Sequence, residues 1–240
     1  FYQLRQIAAA DNAASRTIMW QTKESAASSW IEYRIQGSSG SLIAQADEEL
    51  FTDDNETSFL HTAFLDDLSP DTVYEYRACQ DNIVSGWQSL RTPGKTITAL
   101  IFSDSQSADY NGFAQLASDA LHRNPDTELC INMGDLVDNG ADKTQWHDWF
   151  TAMSSILPQI TFAPVMGNHE TYDQNWKVRM PVAYLHMFSL PKVTPEKYQN
   201  QYYSYDYGDV HFVVLNTQLT EMTTFQPEML ADEIAWFKQD

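Results

Sequence analysis

The sequence predicts two domains of different class: an all-β sandwich over residues 1–94 and an α/β domain over residues 95–240. Three observations carry this division. Residues 1–94 read as six or seven short strands separated by turns, with no helical period. From Thr96 onward, apolar strand-like runs alternate with helical stripes, as in a largely parallel α/β core. Between them, Thr92-Pro93-Gly94-Lys95 is linker material. With 240 residues, 43% of them hydrophobic and 20% charged, the chain has room for two ordinary domains, and its composition excludes a disordered polymer.

In the first half, Thr17–Thr22 forms one strand, and Trp30–Ile35 alternates so that Ile31, Tyr33 and Ile35 share a face. The turn-forming stretch Gln36–Ser41 leads into a short strand, Leu42-Ile43-Ala44. Further strands are expected at Phe59–Leu65, Val73–Cys79 and Trp87–Arg91. The carboxylates Asp47, Glu48, Glu49, Asp53, Asp54 and Glu56 lack the spacing of a calcium loop and read as a solvated loop.

In the second half, Ile97–Phe102 is a continuous apolar run, as expected of a strand covered on both faces. Phe113, Leu116, Ala117, Ala120 and Leu121 repeat at helical spacing. Strands follow at Leu129–Met133 and Ile160–Met166, with His211–Leu215 as a fourth member of the alternation. Between them, Trp146, Trp149, Phe150 and Met153 form a helical stripe that reads as core in preference to a substrate platform. Tyr202–Tyr207 reads as aromatic strand packing. Leu230, Ile234 and Phe237 give a last helix an apolar stripe after Pro227. Cys79 and Cys130 lie in separate apolar strands and read as two buried thiols. His61, His122, His147 and His186 have no ligand spacing, and His211 reads as a strand-start histidine satisfied by hydrogen bonding.

Charge excludes some partners. Fourteen basic against 33 acidic residues give a net charge of -19, which repels nucleic-acid backbones and anionic lipid and argues against a nucleic-acid scaffold. An anionic substrate then needs a concentrated positive charge, such as a metal ion. No run approaches the ~20 apolar residues of a membrane span. The chain begins at Phe1 with no initiator Met, which reads as a processed or cut chain.

Three polar clusters follow directly on three of the strands: Ser103-Asp104-Ser105-Gln106, Gly134-Asp135-Leu136-Val137-Asp138-Asn139-Gly140 and Gly167-Asn168-His169-Glu170. In open α/β sheets, ligands bind beyond the carboxyl ends of the strands, so the three clusters should converge. Asp104 and Asp135 offer anionic oxygens, Gln106 and Asn168 offer amide oxygens, and His169 offers a ring nitrogen for metal or proton. That mixture suits a pair of first-row divalent or trivalent metals.

Gly-Asp-Leu-Val-Asp followed by Gly-Asn-His-Glu resembles the metallophosphoesterase, or calcineurin-like phosphoesterase, superfamily. With a sandwich in front, the chain is most similar to purple acid phosphatases and their bacterial relatives. The segment Leu68–Arg77, in which Tyr74 follows a Pro-containing corner, resembles fibronectin type III domains. The resemblance implies a fibronectin III-like or Ig-like sandwich followed by an α/β/β/α metallophosphoesterase domain. It implies secreted or periplasmic hydrolysis of phosphate esters at two metal ions, of iron, zinc or manganese, with a metal-bound hydroxide as nucleophile. The partner it implies is a small phosphate-ester substrate. Carried over, Asp104 holds the first metal, Asp135 bridges both and Asn168 binds the second. His169 faces the substrate as a catalytic residue, and Asp138 orients it. Gln106 stands where the family carries the histidine of Asp-x-His, as a weaker ligand of the first metal. Asp138 stands where purple acid phosphatases carry a tyrosine ligand, so no purple colour is expected. Asn139 stands where Ser/Thr protein phosphatases have a phosphate-clamping Arg. The family's later histidine motifs are not in the chain, which reads as a catalytic domain truncated at its C-terminus. Two alternatives stay open: a phosphodiesterase or nucleotide pyrophosphatase of the same superfamily, and a non-catalytic binding protein that keeps the fold.

Overall fold

The computed structural model describes residues 1–240, and eight strands come from the first 91 of them. They are β1 (Tyr2–Ile7), β2 (Arg16–Thr22), β3 (Ser29–Ile35), β4 (Leu42–Asp53), β5 (Glu56–Leu65), β6 (Val73–Gln80), β7 (Ile83–Val84) and β8 (Gln88–Arg91). β3, β6, β7 and β8 pair antiparallel as one sheet, and β1, β2 and β5 belong to the other. β4 runs through both, pairing with β3 over residues 42–45 and with β5 over residues 46–53. Between the sheets lies an apolar core built on Ile18, Trp20, Ile31, Tyr76, Ala78 and Leu90. The corner before β6 is tied down as its residues suggest: the Ser69 N–H donates to the Tyr74 hydroxyl at 2.8 Å.

The second half begins with β9 (Ala99–Phe102), α1 (Asn111–Arg123), β10 (Leu129–Asn132), α2 (Lys143–Ala152) and β11 (Thr161–Pro164). β9, β10 and β11 are parallel neighbours. Then come α3 (Val182–Met187), β12 (Tyr203–Tyr207), β13 (Val210–Val214), α4 (Leu219–Met222) and α5 (Met229–Phe237). Trp146, Trp149, Phe150 and Met153 are buried in the large core, together with Tyr203, Tyr205 and Tyr207. Cys79 and Cys130 are buried and unpaired. No helix is long and apolar enough to cross a membrane.

The two halves share one sheet. β1 pairs antiparallel with β2 on one side and parallel with β11 on the other, with Gln6 opposite Thr161 and Ile7 opposite Phe162. Buried Arg5 donates to the Met187 carbonyl at 2.8 Å, and the Gln6 amide bridges Ser89 O and Pro158 O at 2.7 and 2.8 Å. Ile7, Ala8, Met19, Phe51 and Leu60 of the first half belong to the core of the second.

Several expectations need correction. The short strand at Leu42–Ala44 is a 12-residue strand, and the acidic stretch continues it instead of forming a solvated loop. Its acidic residues Asp47, Glu48 and Glu49 are consecutive on a mostly exposed strand, and the hairpin tip docks on the second half. Asp53 takes both guanidinium nitrogens of Arg179 at 3.0 and 2.6 Å, and Glu56 meets His147 at 2.8 Å. Buried Lys143 sets its ammonium 4.3 Å over the Phe51 ring. β9 is not covered on both faces: it is an edge strand and Ile101 is 61% exposed. His211–Leu215 does not extend the parallel sheet, because β13 pairs antiparallel with β12 as a separate two-stranded ribbon. His211 is held there by Asp206 and Asp240 at 2.6 and 2.9 Å. Leu116 of α1 and the α5 stripe Leu230, Ile234 and Phe237 are exposed, and α5 buries Met229 and Glu233 instead.

A shared strand couples the stability of the halves. Thermal unfolding followed by tryptophan fluorescence and by calorimetry should show one coincident transition. Ile7→Ala, at a fully buried position on the seam, should lower stability by about 2–5 kcal/mol without splitting the transition. Two resolved transitions in the unmodified chain would show that β1 does not couple the halves.

Candidate functional site

β9, β10 and β11 end side by side, and the three polar clusters occupy the loops that leave them. Asp104 and Asp135 have φ of 51° and 52°, in the left-handed region where Asp is among the few tolerated side chains. The chain therefore turns sharply over the sheet edge at each carboxylate. The loops are laced to one another: Asp104 N–H donates to Gly134 O at 3.2 Å, and Gln106 N–H to Asp135 O at 3.0 Å. His169 N–H donates to Asp135 Oδ1 at 3.1 Å. This close approach requires bare glycine. A Cβ on Gly167 would lie 2.1 Å from Asp135 Oδ1, and one on Gly134, whose φ is 99°, would lie 2.9 Å from the Gly167 backbone.

A buried carboxylate holds this arrangement from below. Glu170, with no exposed surface, accepts from Gly167 N at 2.7 Å and Asp135 N at 3.1 Å through Oε2. Its Oε1 accepts from Leu136 N at 2.8 Å and Val137 N at 3.4 Å. Burial pushes its carboxyl up to about 7, against the opposing pull of these N–H groups. Glu170 is the residue that sequence reasoning left without a role. The signal was its place at the end of Gly-Asn-His-Glu, where a Glu next to three polar residues and a buried strand needs a partner. A second support lies under the first cluster. The buried Ser105 hydroxyl accepts from Asn132 Nδ2 at 2.9 Å and from the Trp149 indole N–H at 3.0 Å. Trp149 is thus core, and its indole N–H also fixes the loop between Asp104 and Gln106.

The donor set fits a cation. Gln106 Oε1 is buried and has no hydrogen-bond partner. Leaving such an oxygen unpaired costs roughly 1–3 kcal/mol, which a cation in contact with it would offset. Asn168 donates its Nδ2 to the Tyr172 hydroxyl at 3.2 Å, which leaves its amide oxygen available. Asp104 is exposed and accepts from its neighbour Ser103. Two carboxylates and two amide oxygens form a hard donor set. No three His, Cys, Asp or Glu side chains cluster as a ready-made metal cage, and two of the four candidate donors, Gln106 and Asn168, are amides.

Asp138 engages His169 chiefly through its backbone carbonyl. His169 Nδ1 lies 2.7 Å from that carbonyl and 3.4 Å from the Asp138 carboxylate. The carbonyl can only accept, so Nδ1 carries the proton and Nε2 is left free. Asn139 is buried in its turn, donating to Asp173 O and accepting from Ala141 N at 3.1 Å. An interdomain cavity of about 510 Å³, lined by Ala9, Asp47, Phe64, Leu190 and Lys192, contains none of the three clusters.

Comparison with known proteins agrees with this architecture. Residues 97–239 match the calcineurin-like phosphoesterase family, and residues 3–92 match the N-terminal domain of purple acid phosphatases. The chain is 25% identical over 217 residues to purple acid phosphatase 23 of Arabidopsis thaliana, covering 78% of this chain and 45% of that protein. The purple acid phosphatase PPD1 from yellow lupin seeds superposes with a TM-score of 0.75 at 19% identity, over 95% of this chain and 48% of that one. PhoD superposes with a TM-score of 0.52 at 15% identity, over 89% and 51% of the two chains. The chain thus spans about half the length of these relatives.

Removing the Glu170 carboxylate strands buried N–H groups on two loops, whereas Asp104 is solvent-exposed. Glu170→Ala should cost about 3 kcal/mol or more in urea unfolding, and Asp104→Asn, which keeps a side chain tolerated at its left-handed φ, should stay within about 0.5 kcal/mol of the unmodified chain. Equal costs would show that Glu170 does not organise the loops.

Proposed function

Because the chain belongs to the calcineurin-like phosphoesterase family, we propose that its three-loop site serves metal-dependent hydrolysis of phosphate esters. The observation that carries this reading is that Asp104, Gln106, Asp135 and His169 stand on loops hydrogen-bonded into one unit, with Asn168 beside them. In this reading Asp104 and Gln106 would hold one cation and Asn168 a second, with the Asp135 carboxylate available to both. When bound, two such cations supply positive charge for the phosphoryl oxygens and activate a water. The remaining work falls to the chain. His169 Nε2 is free because Nδ1 is engaged by Asp138 O; having taken up a proton from solvent to become imidazolium, the ring can give that proton from Nε2 to the departing ester oxygen. Asp138 acts on it through the backbone. Among iron, zinc and manganese, the all-oxygen donor set favours manganese.

The same reading divides the chain at residues 94 and 95, supported by the separate matches to residues 3–92 and 97–239. One rival has a specific observation behind it. Gln106 in place of an imidazole weakens the first metal site, which would suit a binding protein that keeps one metal.

Equilibrium dialysis against manganese and hydrolysis of an aryl phosphate, both on the protein extended to the full length of its relatives, test both readings. Asp135→Asn should release metal and lose activity together. His169→Asn should keep its metal and lose roughly 10²–10⁴-fold in rate. Gln106→Ala should weaken metal binding with the fold intact, and Gln106→His should tighten binding of zinc. One metal per chain with no turnover would favour the binding protein, and metal loss in His169→Asn would make that histidine a ligand.

A further inference from the structure

Beside His169 stand two aromatic rings. The Tyr172 and Trp176 ring centres lie 5.7 and 6.0 Å from the imidazole, both edge-on to it, and 5.9 Å from each other. Of the seven tryptophans, Trp176 alone has more than half of its surface open, at 57%. It also holds a φ of 60°, a left-handed conformation that is strained for a bulky side chain. An exposed indole on a strained backbone next to a reactive group runs against both burial and backbone preference. Such strain clusters at ligand-binding positions.

The turn that presents Trp176 is fastened from both halves of the chain. The Asp173 carboxylate accepts from Asn175 N at 2.8 Å and Lys177 N at 2.9 Å, and Trp176 N donates to Asp173 O at 2.9 Å. The tip of the β4–β5 hairpin holds the same loop from outside. Asp54 Oδ1 accepts from Gln174 Nε2 at 2.8 Å, and Asp53 takes Arg179 bidentately. Tied at Gln174 and at Arg179, the loop is held with the indole beside His169.

We propose that Trp176, held by the Asp53–Asp54 tip of the first half, is a specificity-determining residue that favours phosphate esters whose leaving group is flat and aromatic. This rests on the phosphoester reading of the His169 site. A phosphoryl group beside His169 puts the group it carries next to the indole, where a π face stacks and a flexible aliphatic chain gains less. The first half thereby shapes substrate choice without touching the reacting atoms.

Calorimetric titration of the manganese-loaded protein with phenylphosphonate and methylphosphonate, which share the phosphoryl group and are not hydrolysed, measures this preference directly. The unmodified protein should bind phenylphosphonate roughly tenfold more tightly, the size of one stacking contact. Trp176→Ala should bring the ratio close to one, and Trp176→Phe should retain most of it. Asp53→Ala combined with Asp54→Ala should lower the ratio about threefold or more by releasing the loop, with circular dichroism confirming the fold. An unchanged ratio in Trp176→Ala overturns the proposal, and an unchanged ratio in the Asp53/Asp54 double variant overturns the role of the hairpin. Methylphosphonate binding with a ratio of one in the unmodified protein removes the aromatic preference alone. Failure of both phosphonates to bind removes the phosphoester reading and this proposal with it.

Discussion

A single buried carboxylate sets the geometry on which the rest of the site depends. Glu170 sits on the third loop and accepts backbone N–H groups from the second loop and from its own. Burying an ionisable carboxyl is expensive unless donors surround it, and here four N–H groups do so. The arrangement is possible only because Gly134 and Gly167 let the two loops approach without side chains between them. Asp135 is then pinned at a left-handed turn with one carboxylate oxygen engaged by His169 N. Strain at Asp135 and Asp104 is tolerable because these contacts fix the backbone around them.

A second constraint joins the halves. β1 lies between β2 and β11, so the sandwich and the α/β domain share one continuous sheet. Cationic side chains reinforce the seam: Arg5 and Arg16 are buried within it, and Lys143 and Arg179 meet the β4–β5 hairpin. These are not independent beads on a linker. The hairpin that packs on the second half also ends on the loop beside His169, so the same contacts that join the halves shape the mouth of the site.

The site clusters were legible because their chemistry is local: Asx, Gly and His directly after apolar strands place polar groups at one sheet edge. The tyrosine corner was legible for the same reason, since Tyr74 and the turn it holds are near neighbours in sequence. What escaped were features set by partners far along the chain. Tyr2–Ile7 mixes polar and apolar residues and becomes a strand only through β2 and β11. The acidic residues of the β4–β5 hairpin resemble a solvated loop because their partners, Lys143, His147, Arg179 and His186, lie about a hundred residues or more away. The apolar run Ile97–Phe102 cannot announce that β9 is an edge. Val210–Val214 has strand character, but its antiparallel partner is fixed by the tight turn after Tyr207, not by the alternation upstream. Nor can a sequence distinguish a carboxylate from a carbonyl of the same residue, which is why Asp138 holds His169 by its backbone.

Electrostatics connects these layers. A chain with a net charge of -19 places two more carboxylates, Asp104 and Asp135, where an anion would have to bind. Several of its few basic side chains are committed elsewhere: Arg5 and Arg16 in the seam, Lys143 over Phe51, and Arg179 on Asp53. The three loops bring in backbone N–H groups, but Glu170 already occupies those that point inward. On the proposed reading, positive charge at the site would come from cations held by Asp104, Gln106, Asp135 and Asn168. On that reading the acidity that would otherwise repel a phosphate ester would instead concentrate cations, and the buried, unpartnered Gln106 oxygen is the local feature that such a cation would satisfy.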